Sequence, residues 1–376
     1  MTDPLAIYIH LPFCKKKCPY CDFTSFEGKE EFFFDYQQAL LLEMKNRSEM
    51  LKPKEVKSIY FGGGTPTLFP SNMIVELIER ISNSLSVTSE TEITVEANPG
   101  TISPTALTIL LEGGVNRISL GAQSFDEINL FRLGRIYGLK EIYQSLEVID
   151  KLGLPNFSLD LIFGIPEQKL EYWIDDLKKA INTGAPHIST YNLTIEEGTV
   201  FHDLYQKGEL RLPDEQTQLD MYLKAKEMLA DAGYQHYEIS NFARSRFLCQ
   251  HNLTYWDNLE YLGLGAGAHS FIGPIRSANM PDIDGYIQSI KTRGFANVTS
   301  ELLDEPRRMG ETIMLGLRRL EGISFTDFQD RFGHSIEAVF PEEIKELIAN
   351  GFITCDNRIK LTEKGLIFSN EVFKEF

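Results

Sequence analysis

Residues 13–21 read Phe13-Cys14-Lys15-Lys16-Lys17-Cys18-Pro19-Tyr20-Cys21 and hold three of the chain's five cysteines. The spacing, C-x3-C-x2-C, brings three thiolates to one small centre. Electron-transfer iron–sulfur clusters use four cysteine ligands, one for each iron. Three thiolates would therefore leave one iron of a four-iron cluster open to an exchangeable ligand. The stretch predicts such a cluster on Cys14, Cys18 and Cys21.

A zinc site and a disulfide framework are the competing interpretations of these cysteines. Structural zinc uses four ligands, usually as two separated pairs, whereas Cys249 and Cys355 are isolated in the sequence. Asp22 or His10 could complete a zinc site only in an unusual geometry. Disulfide frameworks belong to secreted, cysteine-rich chains. The open-iron cluster is favoured, and its need for reduced thiols predicts a cytoplasmic location.

The composition and charge of the chain limit the classes of molecule that the protein can bind. The chain has 376 residues, 43% of them hydrophobic, which is enough for one large domain and a smaller one. Its formal net charge of −17 repels phosphate backbones and argues against a nucleic-acid substrate. The N-terminus lacks the basic region of a signal peptide, and no apolar run approaches the ~20 residues of a membrane span. Peripheral membrane contact remains open.

Six short β-rich runs alternate with helical patterns along the first half of the chain. This alternation predicts βα units and a parallel sheet, with crossovers of one hand. The predicted strands are residues 5–10, 58–61, 92–96, 116–120, 157–161 and 187–191. The predicted helices cover residues 31–50, 71–80 with Ser71 as N-cap, a segment starting at Ser103-Pro104, 170–182 and 214–232.

Polar residues at the strand ends favour a curved barrel over an open sheet. Glu96, Gln123 and Asp160 lie at or just beyond the C-terminal ends of successive strands, and the cysteine loop follows the first. Barrel active sites are built at that face. The predicted fold is α/β: a partial (β/α)6 barrel over residues 1–235, a linker segment over 236–300, and a small C-terminal domain over 301–376.

A glycine loop, residues 62–66, directly follows the second predicted strand. Glycines let a backbone approach a ligand closely and adopt positive φ. Three glycines alone indicate a tight turn as readily, and neither the P-loop nor the dinucleotide spacing is present. Arg135 is predicted to share this pocket, where an arginine beside a carboxylate and an amide can clamp a ligand carboxylate.

The C-terminal part predicts a different kind of unit. A strand is predicted near residues 237–242, a helix over 340–350, and a hairpin of 351–354 with 358–361. A helix followed by a hairpin resembles a winged-helix domain. The acidic charge argues against DNA binding, so a lid or partner-docking role is favoured.

The cysteine motif and the residues around it resemble the radical S-adenosylmethionine (SAM) superfamily. The resemblance implies a 4Fe-4S cluster on the three cysteines, SAM bound at the open iron, and a partial barrel of six βα units. From about Tyr8 to the C-terminus, the chain resembles the family that contains oxygen-independent coproporphyrinogen III dehydrogenase and a heme-chaperone branch. In that family the cofactor contacts fall on these positions: Tyr8, Gly63, Gly64, Thr65, Glu96, Gln123, Arg135, Asp160 and Thr194.

Two features resemble the chaperone branch more than the dehydrogenase. The dehydrogenase has a further cysteine two residues after the third, where this chain has Phe23. It also has an N-terminal arm of several tens of residues before its cysteines, whereas the cysteines here start at residue 14, so we expect no such arm. The chaperone branch carries H-N-x-x-Y-W, and residues 251–256 read His251-Asn252-Leu253-Thr254-Tyr255-Trp256.

His251 is the candidate heme ligand within that hexapeptide. A neutral imidazole is a common axial ligand of heme iron, and Tyr255 and Trp256 offer flat apolar surface. The alternative is a core histidine with satisfied hydrogen bonds. His269 is a second candidate ligand, whereas His10 is predicted to be a structural group at a strand end.

These observations together predict a heme chaperone that binds a 4Fe-4S cluster, SAM and heme. The resemblance implies transfer of heme to respiratory hemoproteins, a possible homodimer, and membrane contact when loaded with heme. Oxidative decarboxylation of coproporphyrinogen III is the alternative function. A radical-SAM enzyme acting on another substrate is a further one, and whether SAM is consumed stays open.

Overall fold

The structure, a computed structural model, describes residues 4–51 and 54–376. Its main feature is a twelve-stranded sheet, ordered β14-β13-β12-β11-β1-β4-β5-β6-β7-β8-β10-β9. The strands of the described residues are β1 Leu5–Leu11, β2 Phe13–Cys14, β3 Phe26–Glu27, β4 Val56–Gly63, β5 Glu92–Ala97, β6 Arg117–Gln123, β7 Phe157–Phe163, β8 His187–Asn192, β9 Gln235–Glu238, β10 Asn241–Ala243, β11 Tyr261–Leu264, β12 His269–Ile272, β13 Ile275–Asn279, β14 Asn297–Leu302, β15 Ile323–Ser324, β16 Ile353–Cys355 and β17 Arg358–Leu361.

Helices connect the parallel strands and cover their outer face. The α-helices are α1 Phe33–Leu51, α2 Ser71–Ser84, α3 Pro104–Glu112, α4 Glu127–Arg132, α5 Leu139–Lys151, α6 Leu170–Asn182, α7 Val200–Gln206, α8 Glu215–Asp231, α9 Gln250–Trp256, α10 Ile283–Arg293, α11 Glu305–Gly316, α12 Phe325–Phe332, α13 Ile336–Val339, α14 Pro341–Ala349, α15 Glu363–Ile367 and α16 Ser369–Phe373. Short 3-10 helices lie at Glu30–Phe32 and Pro66–Leu68. No helix in the described ranges is long and apolar enough to cross a membrane.

The predicted six-unit partial barrel is confirmed. Strands β1 and β4 to β8 pair in parallel and in chain order. Apolar residues such as Ile59 and Phe61 alternate with polar ones along each strand and are fully buried. Burial of this apolar face against the helices stabilises the barrel, by roughly 2 kcal/mol for each large side chain.

Residues 236–300 differ from the linker that the sequence predicted. They supply strands to both edges of the same sheet: β10 pairs antiparallel with β8, and β11 pairs parallel with β1. The strand predicted over 237–242 is instead two short strands, β9 and β10, because the chain turns at residues 239–240. Weak periodicity hid these strands, since each has six residues or fewer.

Two helix starts test the predictions on capping. Ser103 accepts a hydrogen bond from the Ala106 N–H and caps α3, as predicted. Ser71 is instead the first residue of α2, because the extended Pro70 occupies the N-cap position. The signal-peptide prediction rests partly on residues 1–3, which lie outside the described residues.

The C-terminal unit has its own hydrophobic core, which includes Ile313, Phe328 and Ile359. Helix α14 and the hairpin β16–β17 match the predicted helix and hairpin, and β15 adds a third strand beside β17. Arg331 of this unit donates to the backbone carbonyls of Asp257 and Asn258, just after α9. The C-terminal unit is therefore hydrogen-bonded to the segment that follows α9.

Candidate cofactor site at the mouth of the barrel

A cavity of about 470 Å³ lies inside the barrel and opens at the C-terminal ends of the parallel strands. Its lining joins the cysteine loop, the glycine loop and the polar strand ends that the sequence singled out. Of the predicted site residues, it contains Cys14, Cys18, Cys21, Gly63, Gly64, Thr65, Glu96, Gln123, Arg135, Asp160 and Thr194, but not Tyr8 or His251.

The cysteine loop is anchored at both ends. Its first and last residues form a two-stranded parallel pair in which Phe13 lies opposite Phe26. Arg135 Nη1 donates to Cys18 Sγ at 3.3 Å, which brings a positive charge to the sulfur. All five cysteines of the chain are thiols, and burial raises the pKa of Cys14 and Cys21.

His10 fixes this loop to β1. The buried imidazole donates from Nε2 to the Thr24 carbonyl at 2.7 Å, so its Nδ1 accepts from the Tyr8 hydroxyl at 2.9 Å. Burial lowers the pKa of His10, which keeps the ring neutral. His10 thus has the structural role predicted for it, and Tyr8 lies behind it rather than on the cavity wall.

The turn after β11, residues 265–267, also contacts the cysteine loop. Tyr36 donates its hydroxyl proton to the His10 carbonyl at 2.9 Å and accepts from the Ala266 N–H at 2.7 Å. A Cβ on Gly267 would lie 3.0 Å from Thr24 Oγ1, so the backbone of this turn approaches the cysteine loop closely. Residues of α1 and of the turn after β11, the strand that pairs with β1, therefore hold the loop in place.

The glycine loop passes against the start of the cysteine loop. Gly63 has φ +116°, and a Cβ there would lie 2.6 Å from His10 Cε1; a Cβ on Gly64 would lie 2.6 Å from the Phe13 carbonyl oxygen. The Thr65 N–H donates to that same carbonyl at 2.8 Å. Only glycine fits at both positions, so this loop needs its glycines to pack as well as to expose backbone.

Glu96 is a half-buried carboxyl near the end of β5. It accepts from the Tyr60 hydroxyl at 2.8 Å and from the Gly63 N–H at 3.2 Å. Burial raises its pKa to about 7, more than these two donors lower it. Near neutral pH the group can therefore accept or donate a hydrogen bond to a ligand.

Two further polar groups lie on the neighbouring strands β6 and β7. Gln123 is the last residue of β6, as predicted, whereas Asp160 lies in the middle of β7 and not at its end, because that strand continues to Phe163. Asp160 accepts from the Ser119 hydroxyl at 2.9 Å, and burial raises its pKa. Gln123 has φ +67°, an unusual conformation for a residue other than glycine. Such strain persists where the surrounding structure enforces it and clusters at ligand sites.

His251 lies behind the cavity wall. The ring is 2% exposed, with Nδ1 2.9 Å from Ser58 Oγ and Nε2 3.0 Å from the Tyr255 hydroxyl. Burial lowers its pKa to about 3, so the imidazole is neutral. Both ring nitrogens are hydrogen-bonded here, which is the core-histidine arrangement. Its neighbour Asn252 does line the cavity.

The remaining residues of the predicted heme signature pack elsewhere. The Arg318 guanidinium lies over the Trp256 ring, 4.4 Å from its centroid, and the Tyr255 ring packs edge-on against Tyr261. The second candidate ligand, His269, is exposed on β12 and is not in the cavity lining. The signature helix α9 closes the bottom of the barrel.

Several residues of the lining were missed by the sequence analysis. Tyr60, Asn98, Arg117, His187 and Tyr191 all line the cavity. Period-two alternation is the signal that could have found them. In β6, for example, Arg117, Ser119 and Gln123 alternate with apolar residues. Parallel strands buried on both faces are normally apolar throughout, so this alternation indicates a barrel with a polar interior.

The residues present fit an iron–sulfur cluster and a polar cofactor. Three thiols line one wall, a guanidinium donates to one of them, and glycine backbone lies directly beside them. Within the described ranges, no three His, Cys, Asp or Glu side chains surround one point as a single metal ion would need.

Comparisons with known proteins cover nearly the whole chain. The model of the Radical SAM superfamily matches residues 8–180, and that of the HemN C-terminal domain matches residues 303–368. The chain is 38% identical to the heme chaperone HemW of Bacillus subtilis over 99% of this chain and 98% of that protein. It is 38% identical to the Escherichia coli heme chaperone HemW, again over 99% and 98%.

Two further comparisons extend these findings. The bovine (Bos taurus) mitochondrial radical S-adenosyl methionine domain-containing protein 1 is 32% identical over 94% of this chain and 82% of its own length. The solved structure of Escherichia coli coproporphyrinogen III oxidase, HemN, a radical SAM enzyme, superposes with a TM-score of 0.86 at 23% identity. It covers 99% of this chain and 90% of that one. This likeness shows a shared fold.

Proposed function

The chain belongs to the heme chaperone HemW family of radical SAM proteins, and we propose on that basis that it binds heme and delivers it to hemoproteins. The observation that carries the proposal is similarity over the full length to proteins named heme chaperones, at 38% identity. Similarity restricted to the barrel would support only a radical SAM protein.

We propose that Cys14, Cys18 and Cys21 hold a 4Fe-4S cluster, with SAM beside it. The cluster supplies an open iron and an electron when reduced. The guanidinium of Arg135 stabilises negative charge at Cys18, and the backbone of Gly63 and Gly64 leaves room for a ligand. Glu96 offers a hydrogen-bonding group at the ends of the strands.

The heme-handling part of the proposal concerns α9. We retain His251 as the residue that would bind the heme iron, which would require its hydrogen bonds with Ser58 and Tyr255 to open. Recipients among respiratory hemoproteins, a homodimer, and membrane contact of the heme-loaded protein complete the proposal and rest on family resemblance. Phe23, 63% exposed where the dehydrogenase has a cysteine, supports chaperone over dehydrogenase.

A heme titration of anaerobically reconstituted protein, followed by absorbance, tests the proposal. We expect saturable binding near one heme per chain, and loss of the iron-ligand bands in His251→Ala. His269→Ala is the matched control, because it removes an exposed imidazole. Unchanged binding by His251→Ala would remove His251 as ligand but keep the chaperone function. Absence of saturable binding, together with turnover of coproporphyrinogen III, would replace the chaperone with the dehydrogenase.

A further inference from the structure

The deep end of the cavity contains a buried guanidinium without a counterion. Arg117, the first residue of β6, is 2% exposed and lines the cavity. Its Nε–H has no hydrogen-bond partner. Within residues 4–51 and 54–376 no carboxylate lies at ion-pair distance from the side chain, and Glu92 acts on the guanidinium only through its charge. Arginine stays protonated in proteins, so this position holds a positive charge.

Glu92, whose charge acts on Arg117, forms its hydrogen bonds elsewhere. Glu92 accepts hydrogen bonds from the backbone N–H groups of Gln250 and His251, both at 3.1 Å, and from Cys249 Sγ at 3.6 Å. Its oxygens therefore satisfy the start of α9 rather than Arg117.

A second donor beside Arg117 is also unpartnered. His187 is 1% exposed and lines the cavity, and its Nε2 lies 2.8 Å from the Tyr237 hydroxyl. That hydroxyl oxygen accepts from the Cys249 N–H at 3.3 Å, which leaves its own proton to donate to His187 Nε2. The His187 proton is then on Nδ1, and Nδ1 has no partner among the described residues.

The strand registers place these donors deeper than the acidic residues of the site. Thr94 pairs with Arg117, whereas Glu96 pairs with Ser119, two residues nearer the mouth. Asp160 likewise pairs with Ser189, two residues beyond His187. An anion bound at the floor of the cavity would therefore lie closer to Arg117 and His187 than to the carboxyl groups of Glu96 and Asp160.

We propose that Arg117 and His187 form a carboxylate-binding subsite at the floor of the cavity, at the opposite end from the cysteine loop. Buried donors are nearly always paired, so two in one cavity indicate an acceptor supplied by a ligand. The planar guanidinium fork matches a carboxylate, and one cation beside a neutral imidazole suits a single negative charge. Asn252 adds an amide to the same floor.

Heme, the ligand of the proposed function, carries two propionates, whereas the amino-acid end of SAM is expected at the open iron beside the cysteine loop. We therefore assign the subsite to a heme propionate, and this assignment rests on the proposed function. The preference of this subsite for an anion rests on the hydrogen-bond donors Arg117 and His187 alone.

Paired ligands that differ only in the carboxylate test the subsite. We would measure Kd for SAM and decarboxylated SAM, and for heme and heme dimethyl ester, on cluster-reconstituted protein. The variants are Arg117→Met, Arg117→Lys and, as matched control, Arg80→Met, which removes an exposed arginine on α2. In the heme pair, wild type should prefer the carboxylate form by roughly ten- to a hundredfold, and only Arg117→Met should lose this preference fully. The SAM pair is the ligand control, and its preference should be the same in wild type and Arg117→Met.

The outcomes separate the sources and the two proposals. Loss of preference in the heme pair alone supports a propionate at the subsite, whereas loss in the SAM pair would overturn this assignment. Equal weakening of heme and its dimethyl ester, or a preference unchanged in Arg117→Met, would overturn the subsite and leave the chaperone function standing. If wild type binds no heme, both proposals fail. Folding is checked by thermal unfolding, which Arg117→Met should not lower because it removes an unpaired buried charge.

Discussion

Asp176 on α6 should make the stability of the protein fall as pH rises. The carboxyl is fully buried and accepts from the Ser124 hydroxyl at 2.6 Å and the Phe125 N–H at 2.7 Å. Burial nevertheless raises its pKa from 3.8 to about 7. These two hydrogen bonds hold the loop that follows Gln123, a residue of the cavity lining. Asp176 therefore supports a segment next to the cavity.

The direction of this pH dependence follows from the number of protons that the folded and the unfolded chain bind. Below pH 3.8 the carboxyl is protonated in both the folded and unfolded chain, and above that pH only the folded chain holds the proton. Stability from this group is therefore complete at low pH and is lost as pH rises through about 7. The shift corresponds to about 4 kcal/mol in the free energy of unfolding, of which roughly 2 to 3 kcal/mol falls between pH 5 and 8.

Urea unfolding of cluster-free wild type and Asp176→Asn at pH 5, 6, 7 and 8 measures this effect. The fluorescence of Trp173, buried on the same helix, reports the transition. The stability advantage of wild type over Asp176→Asn should shrink by roughly 2 to 3 kcal/mol across this range. The control is Asp175→Asn, whose side chain is 57% exposed. Parallel pH profiles for wild type and Asp176→Asn would refute the reasoning.

Two other substitutions test the site. Gly63→Ala should destabilise the protein at the glycine loop, because a side chain there is strained at φ +116° and meets His10 at 2.6 Å; strain of about 1–3 kcal/mol predicts an equal loss in the free energy of unfolding, measured by urea titration. Gly153→Ala, at φ +66° with nothing within 4 Å, is the control for strain alone, and an equal effect there would contradict the steric argument. Cys14→Ser should lower bound iron well below the about four atoms of a full cluster, whereas Cys355→Ser should retain it; equal iron in both variants would exclude the assigned ligand.

The sequence predicted the six βα units because each strand is a short apolar run between helical patterns. Helix α6 was predicted at its observed bounds, 170–182. The strands of residues 236–300 were not predicted, because β11 gains its stability from pairing with β1, more than 240 residues away in sequence. Pairing over such a distance leaves no local pattern.

The cavity mouth was predictable, and its floor was not. Motif spacing and strand ends identified residues such as Glu96 and Arg135, which line the cavity. Arg117 and His187 carry no motif, and their role depends on which face of a strand points inward. His251 shows the converse, since its motif predicted exposure to a ligand whereas the fold buries both ring nitrogens in hydrogen bonds.

The turn at residues 265–267 sets an order of events during synthesis. The cysteine loop is closed by backbone that contacts His10 and Thr24 from this turn. At about 5–20 residues per second, the roughly 240 residues between Cys21 and Gly265 take about 12 to 50 seconds to translate. The thiols thus leave the ribosome long before the turn that encloses them exists. Iron delivery to a finished loop is therefore a late event, and the nascent chain presents reactive cysteines that need a reducing environment until then.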